Sequence, residues 1–319
     1  MSPVGQAATA DSGDLRPVLA RVRALVLSGP AAGFPALPGV LPDPLPPFVQ
    51  LPLATCCAAG GVPDDAARLA AAWTLVSFGV RILDDCADQD NPRALHLHQG
   101  MGRTLHLATA LLHLASWQIQ QLTPPAVRDA IVEDYQRACL RVWAGQDRDI
   151  RGGIPTLDDY LRLVEDKTAC GFAFIAAAGA RLITADPAIV AACRACGHHV
   201  GILLQLLDDL EACWFPDGPS DLAQGKLTFP VWFALAREHE HRDELRCLVA
   251  QPQHHEVRIR AILDGLDMRR YLVWAALEER DRAVAAIAAC PEPAGLRILH
   301  AYLDDIFRDV ADLMTRPIR

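Results

Sequence analysis

An all-α fold is predicted, a single-domain bundle of about ten or more helices. Of the 319 residues 51% are apolar, with Ala and Leu dominant, and only 6% are aromatic. That composition favours helices over strands. Apolar residues recur at helical spacing along most of the chain, and no stretch alternates as a half-buried strand does. No composition break is sharp enough to divide residues 15–319, so they are read as one domain.

Residues 1–14, MSPVGQAATADSGD, lack a basic segment followed by an apolar one, and read as a disordered tail, not a signal peptide. Leu15 to Leu27 reads as an amphipathic helix, and residues 30–54 as an irregular Pro/Gly-rich segment. From Pro63-Asp64-Asp65 onward, helices are predicted over about 64–90, 100–121, 125–147, 156–181, 187–214, 228–249, 254–288 and 293–314, broken at Pro, Gly or Asp. In PTLDDYL, Asp158 and Asp159 sit where acids complement a helix N-terminus.

The formal charge is −9, which argues against nucleic acid or an anionic membrane as the main partner but leaves anionic small molecules open. Apolar runs such as Leu69 to Val80 and Gly171 to Ala180 fall short of the ~18 residues of a membrane span. A soluble, cytoplasmic protein with no stable membrane span is expected. The ten cysteines are then reduced, buried hydrophobes. Cys193 and Cys196, with His198 and His199 behind them, lack the second ligand pair of a zinc site.

RILDDCADQD, Arg81 to Asp90, ends an apolar helix in carboxylates. Asp84, Asp85 and Asp88 fall on one side of a helix. Gly201 to Trp214, GILLQLLDDLEACW, repeats the pattern with Asp208-Asp209. Two such helix ends facing each other can hold Mg²⁺ through oxygen ligands and leave positions open for a substrate's phosphate oxygens. The chain has 28 arginines but only two lysines, Lys167 and Lys226. Isolated lysines in an arginine-using chain suggest places where a compact ammonium fits and a planar guanidinium does not.

With these residues the sequence resembles the trans-isoprenyl diphosphate synthase (polyprenyl synthetase) family. The motifs come in the family's order across about residues 60–235: Asp84-Asp85-x-x-Asp88 with Arg93 behind it, Gly145-Gln146-x-x-Asp149, Lys167-Thr168, Gly201-x-x-x-Gln205-x-x-Asp208-Asp209, and Asp221-Leu-x-x-Gly225-Lys226-x-Thr228-x-Pro230. The resemblance implies the class I isoprenoid-synthase fold, a helical bundle around a deep apolar pocket, and a homodimer. It implies Mg²⁺ held by Asp84, Asp85, Asp88, Asp208 and Asp209. It places Arg93, Lys167 and Lys226 on the diphosphate of an allylic prenyl substrate, Thr168 and Gln205 near the carbocation, and Phe78, Gly79 and Gln146 in the pocket. A glycine five positions before the first aspartate implies room for a prenyl tail of C15 or longer.

Family members that elongate chains carry a Gly-Lys-Arg segment before the first acidic motif and a second Arg after Arg93. Here no Lys or Arg lies between Arg23 and Arg68, and Ala94 follows Arg93. One turn after Asp208 stands Ala212. The Asn/Asp-Ser/Thr-Glu motif of terpene cyclases is absent too, with Ala212 and Pro216 in the last two of its places. The expected activity is therefore terpene-synthase-like: Mg²⁺-dependent ionisation of an allylic prenyl diphosphate, with the cation cyclised, deprotonated, quenched by water or passed to an acceptor other than isopentenyl diphosphate. Two alternatives stand beside it, a chain-elongating synthase that binds isopentenyl diphosphate through arginines such as Arg81 or Arg103, and a weakly catalytic regulatory subunit. His96, His98 and His106 are open as bases or as ordinary helix histidines. Trp143, Trp214 and Phe215 are open as pocket or core residues.

Overall fold

The computed structural model describes residues 14–88, 91–215 and 220–315. Most of the expected tail, residues 1–13, and Pro216 lie outside them. Among the described residues there is no strand. The helices are α1 (Arg16–Val26), α2 (Leu37–Val40), α3 (Leu51–Ala58), α4 (Ala67–Asp88), α5 (Leu95–Gln99), α6 (Met101–Gln120), α7 (Pro125–Arg151), α8 (Leu157–Val164), α9 (Cys170–Arg181), α10 (Pro187–Trp214), α11 (Phe229–Ala236), α12 (Arg242–Leu248), α13 (Pro252–Gly265), α14 (Met268–Ala288) and α15 (Pro293–Thr315).

The Pro/Gly-rich segment differs from its expectation. It contains short 3₁₀ turns at Gly29–Gly33 and Pro47–Gln50 and the one-turn α2, and α3 begins at Leu51. Pro52 falls in the first turn of α3, where its missing N–H has no intrahelical partner to lose. All eight residues of α3 are buried, between α9 and α15. Two predicted helices are split: 228–249 into α11 and α12, and 254–288 into α13 and α14 at Asp267, which takes the left-handed conformation at φ 55°.

α4 and α10 are the central helices. The N-terminal half of α4 is buried from Leu69 to Leu75, and α10 packs mainly on α9 and α14. Asp186 caps α10, its carboxylate accepting the Ala188 N–H at 2.8 Å. Thr156 caps α8 by accepting the Asp159 N–H at 3.1 Å. Contrary to the reading of short apolar runs, the helical segments Pro63–Asp88 and Pro187–Trp214 are long and apolar enough to cross a membrane by length and composition. In the fold they are core helices, with 61% and 44% of the relevant windows buried, and both end in acidic motifs.

Between α8 and α9 the backbone widens into a π turn, Glu165–Ala169, that carries Lys167 and Thr168. Two glycines let neighbouring helices grip it. A Cβ at Gly145 of α7 would stand 2.7 Å from the Lys167 backbone nitrogen, and one at Gly201 of α10 would stand 2.6 Å from Ala169 Cα. Both glycines belong to the motifs read from the sequence. Their place in those motifs is thus a packing requirement, since the lysine turn is wedged between α7 and α10.

Candidate active site

The helix ends surround a cavity of about 1210 Å³. α4 supplies a stripe at helical spacing, Trp73, Ser77, Val80, Asp84 and Asp88, with Arg81 on its flank. The wall is apolar around Phe48, Trp73, Leu112, Phe172 and Phe174. Trp73 meets Phe172 edge to face at a centroid separation of 5.1 Å and Phe48 at 6.4 Å. The charged part is formed where α4, α7, the π turn, α10 and the loop before α11 converge.

There the two lysines stand on the aspartates. Lys167 Nζ lies 2.6 Å from Asp149 Oδ2 and 3.5 Å from Asp84 Oδ1, and Gln146 Nε2 donates to Asp84 Oδ1 at 2.5 Å. Lys226 Nζ lies 2.9 Å from Asp88 Oδ2. Burial pushes the Asp84 carboxyl up, against the pull of Lys167. Burial also works against the Lys167 charge, but Asp84 and Asp149 outweigh it and hold the ammonium above its ordinary range. Asp208 is solvent-exposed where it opens on the cavity, with the bulk of the fold close behind it. The protein behind it, then repulsion from Asp209 and Glu211, pushes its carboxyl up to about 7, while Arg81 and Lys167 act the other way.

Asp209, expected as a metal ligand, has another place. It is 2% exposed, and its carboxylate accepts from the Tyr160 hydroxyl, from Gln205 Nε2 at 3.0 Å and from the Phe229 N–H at 3.0 Å. Burial pushes its carboxyl up and those three donors pull it back. Gln205 in turn accepts the Thr168 hydroxyl at 2.8 Å. Asp209 therefore fixes the interior of the site, a role that needs the tertiary partners to be seen. Asp85 also differs from its expectation: it accepts from Asn91 Nδ2 at 3.2 Å and does not line the cavity.

The tail residues need correction too. Phe78 and Gly79 are not on the cavity wall. Gly79 faces α6, where a Cβ would meet Leu112 Cδ2 at 3.0 Å. It permits close packing of α4 on α6, against Leu112, which is itself part of the cavity lining. Arg93 lies on the loop after α4, outside the lining, and Ala94 is buried at 1% exposure. Trp143 lines the cavity, whereas Trp214 and Phe215 do not, and Trp214 donates to Asp264 at 3.0 Å. Among the described residues no histidine lines the cavity, and His96, His98 and His106 lie off its wall. Of residues 30–54 only Phe48 reaches it.

Among the described residues no three His, Cys, Asp or Glu side chains are gathered closely enough to hold a metal ion by themselves. The lining nevertheless has seven carboxylates, Asp84, Asp88, Asp147, Asp149, Asp208, Asp209 and Asp221, against three cations, Arg81, Lys167 and Lys226. That surplus of four negative charges, all on hard oxygen donors, suits divalent cations shared with a polyphosphate ligand. Asp84, Asp88 and Asp208, which line the cavity from α4 and α10, are the residues that would hold them.

The polyprenyl synthetase family model matches residues 49–266. The chain is 34% identical over 212 residues to a geranylgeranyl diphosphate synthase of Mycobacterium tuberculosis, a stretch that covers 62% of this chain and 61% of that one. The chain thus spans about three fifths of that relative's length. Among solved structures, a geranylgeranyl pyrophosphate synthetase from Pyrococcus horikoshii matches with TM-score 0.75 and 21% identity, over 94% of this chain and 95% of that one. A polyprenyl synthase from Caulobacter crescentus, complexed with calcium and isoprenyl diphosphate, matches with TM-score 0.77 and 22% identity, over 91% and 94%. At these identities the structures speak to the fold.

Proposed function

The chain belongs to the polyprenyl synthetase family, and from that premise we propose that it ionises an allylic prenyl diphosphate at the mouth of this cavity and releases the cation into the apolar part. The observation that supports this most is the pairing of Lys167 with Asp84 and of Lys226 with Asp88. Each lysine is poised to exchange a carboxylate for a diphosphate oxygen. When bound at Asp84, Asp88 and Asp208, Mg²⁺ would stabilise charge developing on the diphosphate.

The chain's own groups do the rest. Lys167 and Lys226 hold the diphosphate by charge-assisted hydrogen bonds, and Gln146 fixes the direction of Asp84. As the allylic C–O bond breaks, negative charge develops where those cations already stand, with no reorganisation needed at that moment. The Thr168–Gln205–Asp209 chain holds oxygen dipoles near the cationic carbons, and the apolar wall withholds water. The cation is then cyclised, deprotonated, quenched by water late or passed to an acceptor other than isopentenyl diphosphate. In support, residues 30–54 bring no cation to the cavity and Ala94 is buried. Release of diphosphate from farnesyl or geranylgeranyl diphosphate, measured in Mg²⁺ and in excess EDTA, tests the reading: full activity in EDTA would remove it.

A second reading is chain elongation with isopentenyl diphosphate. The name of the mycobacterial relative favours it, and so does the place of Arg81, which lines the cavity while Arg103 does not.

A further inference from the structure

We propose that Asp166 is a positioning residue for the reaction: Arg141 and Arg148 of α7 clamp its carboxylate outside the cavity, so that the π turn presents Lys167 to the diphosphate. The inference rests on the reading that Lys167 holds the diphosphate. None of the three clamp residues lines the cavity. Their effect on the reaction therefore has to pass through the turn.

Asp166 is the residue before Lys167, and Arg148 is the residue before Asp149. The two dipeptides pair crosswise. On the cavity side Lys167 Nζ lies 2.6 Å from Asp149 Oδ2, while on the outer side Asp166 Oδ2 accepts from Arg148 Nη2. Arg141 stands seven residues before Arg148, about two turns of α7, and so shares its face. Its Nε donates to Asp166 Oδ1, and its Nη2 lies 3.7 Å from Glu165 Oε2. Each oxygen of Asp166 is thus claimed by a different turn of α7. The carboxylate cannot pivot without giving up one partner.

A π turn needs such a restraint. In it the Cys170 N–H reaches back five residues to the Glu165 carbonyl, and turns of this kind are rare and found mostly at functional sites. Gly145 and Gly201 leave room for the turn, but room does not fix its direction. Lys167 has a flexible four-carbon stem, so the backbone that carries it decides where its ammonium can reach. The arginine side chains of the clamp are 51% and 47% exposed, and ion pairs that exposed add little to global stability. What this clamp fixes is orientation.

Calorimetric titration of the full chain with inorganic diphosphate in Mg²⁺ tests the clamp through a double-mutant cycle. Asp166→Ala is expected to weaken binding about fivefold or more, Arg141→Ala and Arg148→Ala together to match it, and Lys167→Ala to weaken it further. In the Lys167→Ala background, Asp166→Ala should change binding by no more than about twofold, and the urea midpoint of Asp166→Ala should stay at the wild-type value. Equal affinity in wild type and Asp166→Ala, or the same loss from Asp166→Ala whether or not Lys167 is present, overturns the proposal. So does a lowered urea midpoint in Asp166→Ala, which would make the clamp a matter of stability alone. Diphosphate release from farnesyl diphosphate is followed in parallel. Release that Asp166→Ala leaves at the wild-type kcat/KM overturns the clamp and leaves the donor reading standing. Lys167-dependent loss of binding in Asp166→Ala, with no release from any allylic diphosphate by the wild type, overturns the donor reading and upholds the clamp.

Discussion

Lys226 Nζ stands 2.9 Å from Asp88 Oδ2, so the loop before α11 is tied to the last aspartate of the first acidic motif. Lys167, on the π turn, stands 3.5 Å from Asp84 Oδ1 of the same motif. The only two lysines in the chain are thus both at the mouth of the cavity. A guanidinium at either place is larger, planar and fixed in its donor directions. Lys167→Arg and Lys226→Arg are expected to lower kcat/KM for diphosphate release by about tenfold or more each. Wild-type rates in both variants would show that charge alone matters there.

The three aspartates of the first motif are not equivalent. Asp84 and Asp88 line the cavity, while Asp85 is turned to Asn91. Asp84→Asn and Asp88→Asn should each reduce Mg²⁺-dependent diphosphate release by on the order of 100-fold, and Asp85→Asn by about tenfold at most. Steady-state rates at saturating Mg²⁺ check this. Equal losses in all three variants would contradict the placement of Asp85.

Asp209 is a structural anchor, so its loss is read in stability before it is read in metal affinity. Asp209→Ala leaves the Tyr160 hydroxyl, the Gln205 amide and the Phe229 N–H without their acceptor in a buried site. At about 1–3 kcal/mol per stranded donor, the variant should lose about 3 kcal/mol or more of unfolding free energy in urea. Tyr160→Phe removes one donor and should cost about 1 kcal/mol. An unchanged urea midpoint in Asp209→Ala would return Asp209 to the metal set.

Asp208 couples metal binding to pH. The protein packed close behind it and the charges of Asp209 and Glu211 push its carboxyl up to about 7 in the folded chain, against an ordinary 3.8. From about pH 4 to about pH 7 the folded chain keeps a proton that the unfolded chain has lost. The contribution of this group to stability therefore falls as pH rises across that window and is level above it. Mg²⁺ needs the ionised form, so the rise in melting temperature on adding Mg²⁺ should be larger at about pH 8 than at about pH 6. Asp208→Asn should remove most of that difference. A Mg²⁺ effect that does not vary with pH would contradict the assignment.

The long helices and the acidic motifs were legible because both depend on spacing. Asp84 and Asp88 share a helix face wherever the helix is placed, and each apolar run ended in Asp. The glycines of the motifs were legible as letters, but their reason, the close approach of α7 and α10 to the lysine turn, belongs to tertiary packing. The start of α3 was hidden by prolines, which punctuate a sequence but also suit a first helical turn. Gly79 was open to a simple correction. Five residues at 100° each turn it about 140° from Asp84, toward α6, whereas Ser77 and Val80 remain on the cavity face. Asp209 could not have been separated from Asp208 by sequence. The three donors that claim it come from α8, α10 and α11.

The account turns on what happens to the prenyl cation. Mass spectrometry of products from farnesyl diphosphate and Mg²⁺, with and without isopentenyl diphosphate, tests it most directly. The account predicts diphosphate release without isopentenyl diphosphate, and a hydrocarbon or alcohol that keeps the carbon number of the substrate unless another acceptor is supplied. A diphosphate product one isoprene unit longer than the substrate, formed only when isopentenyl diphosphate is present, would contradict it.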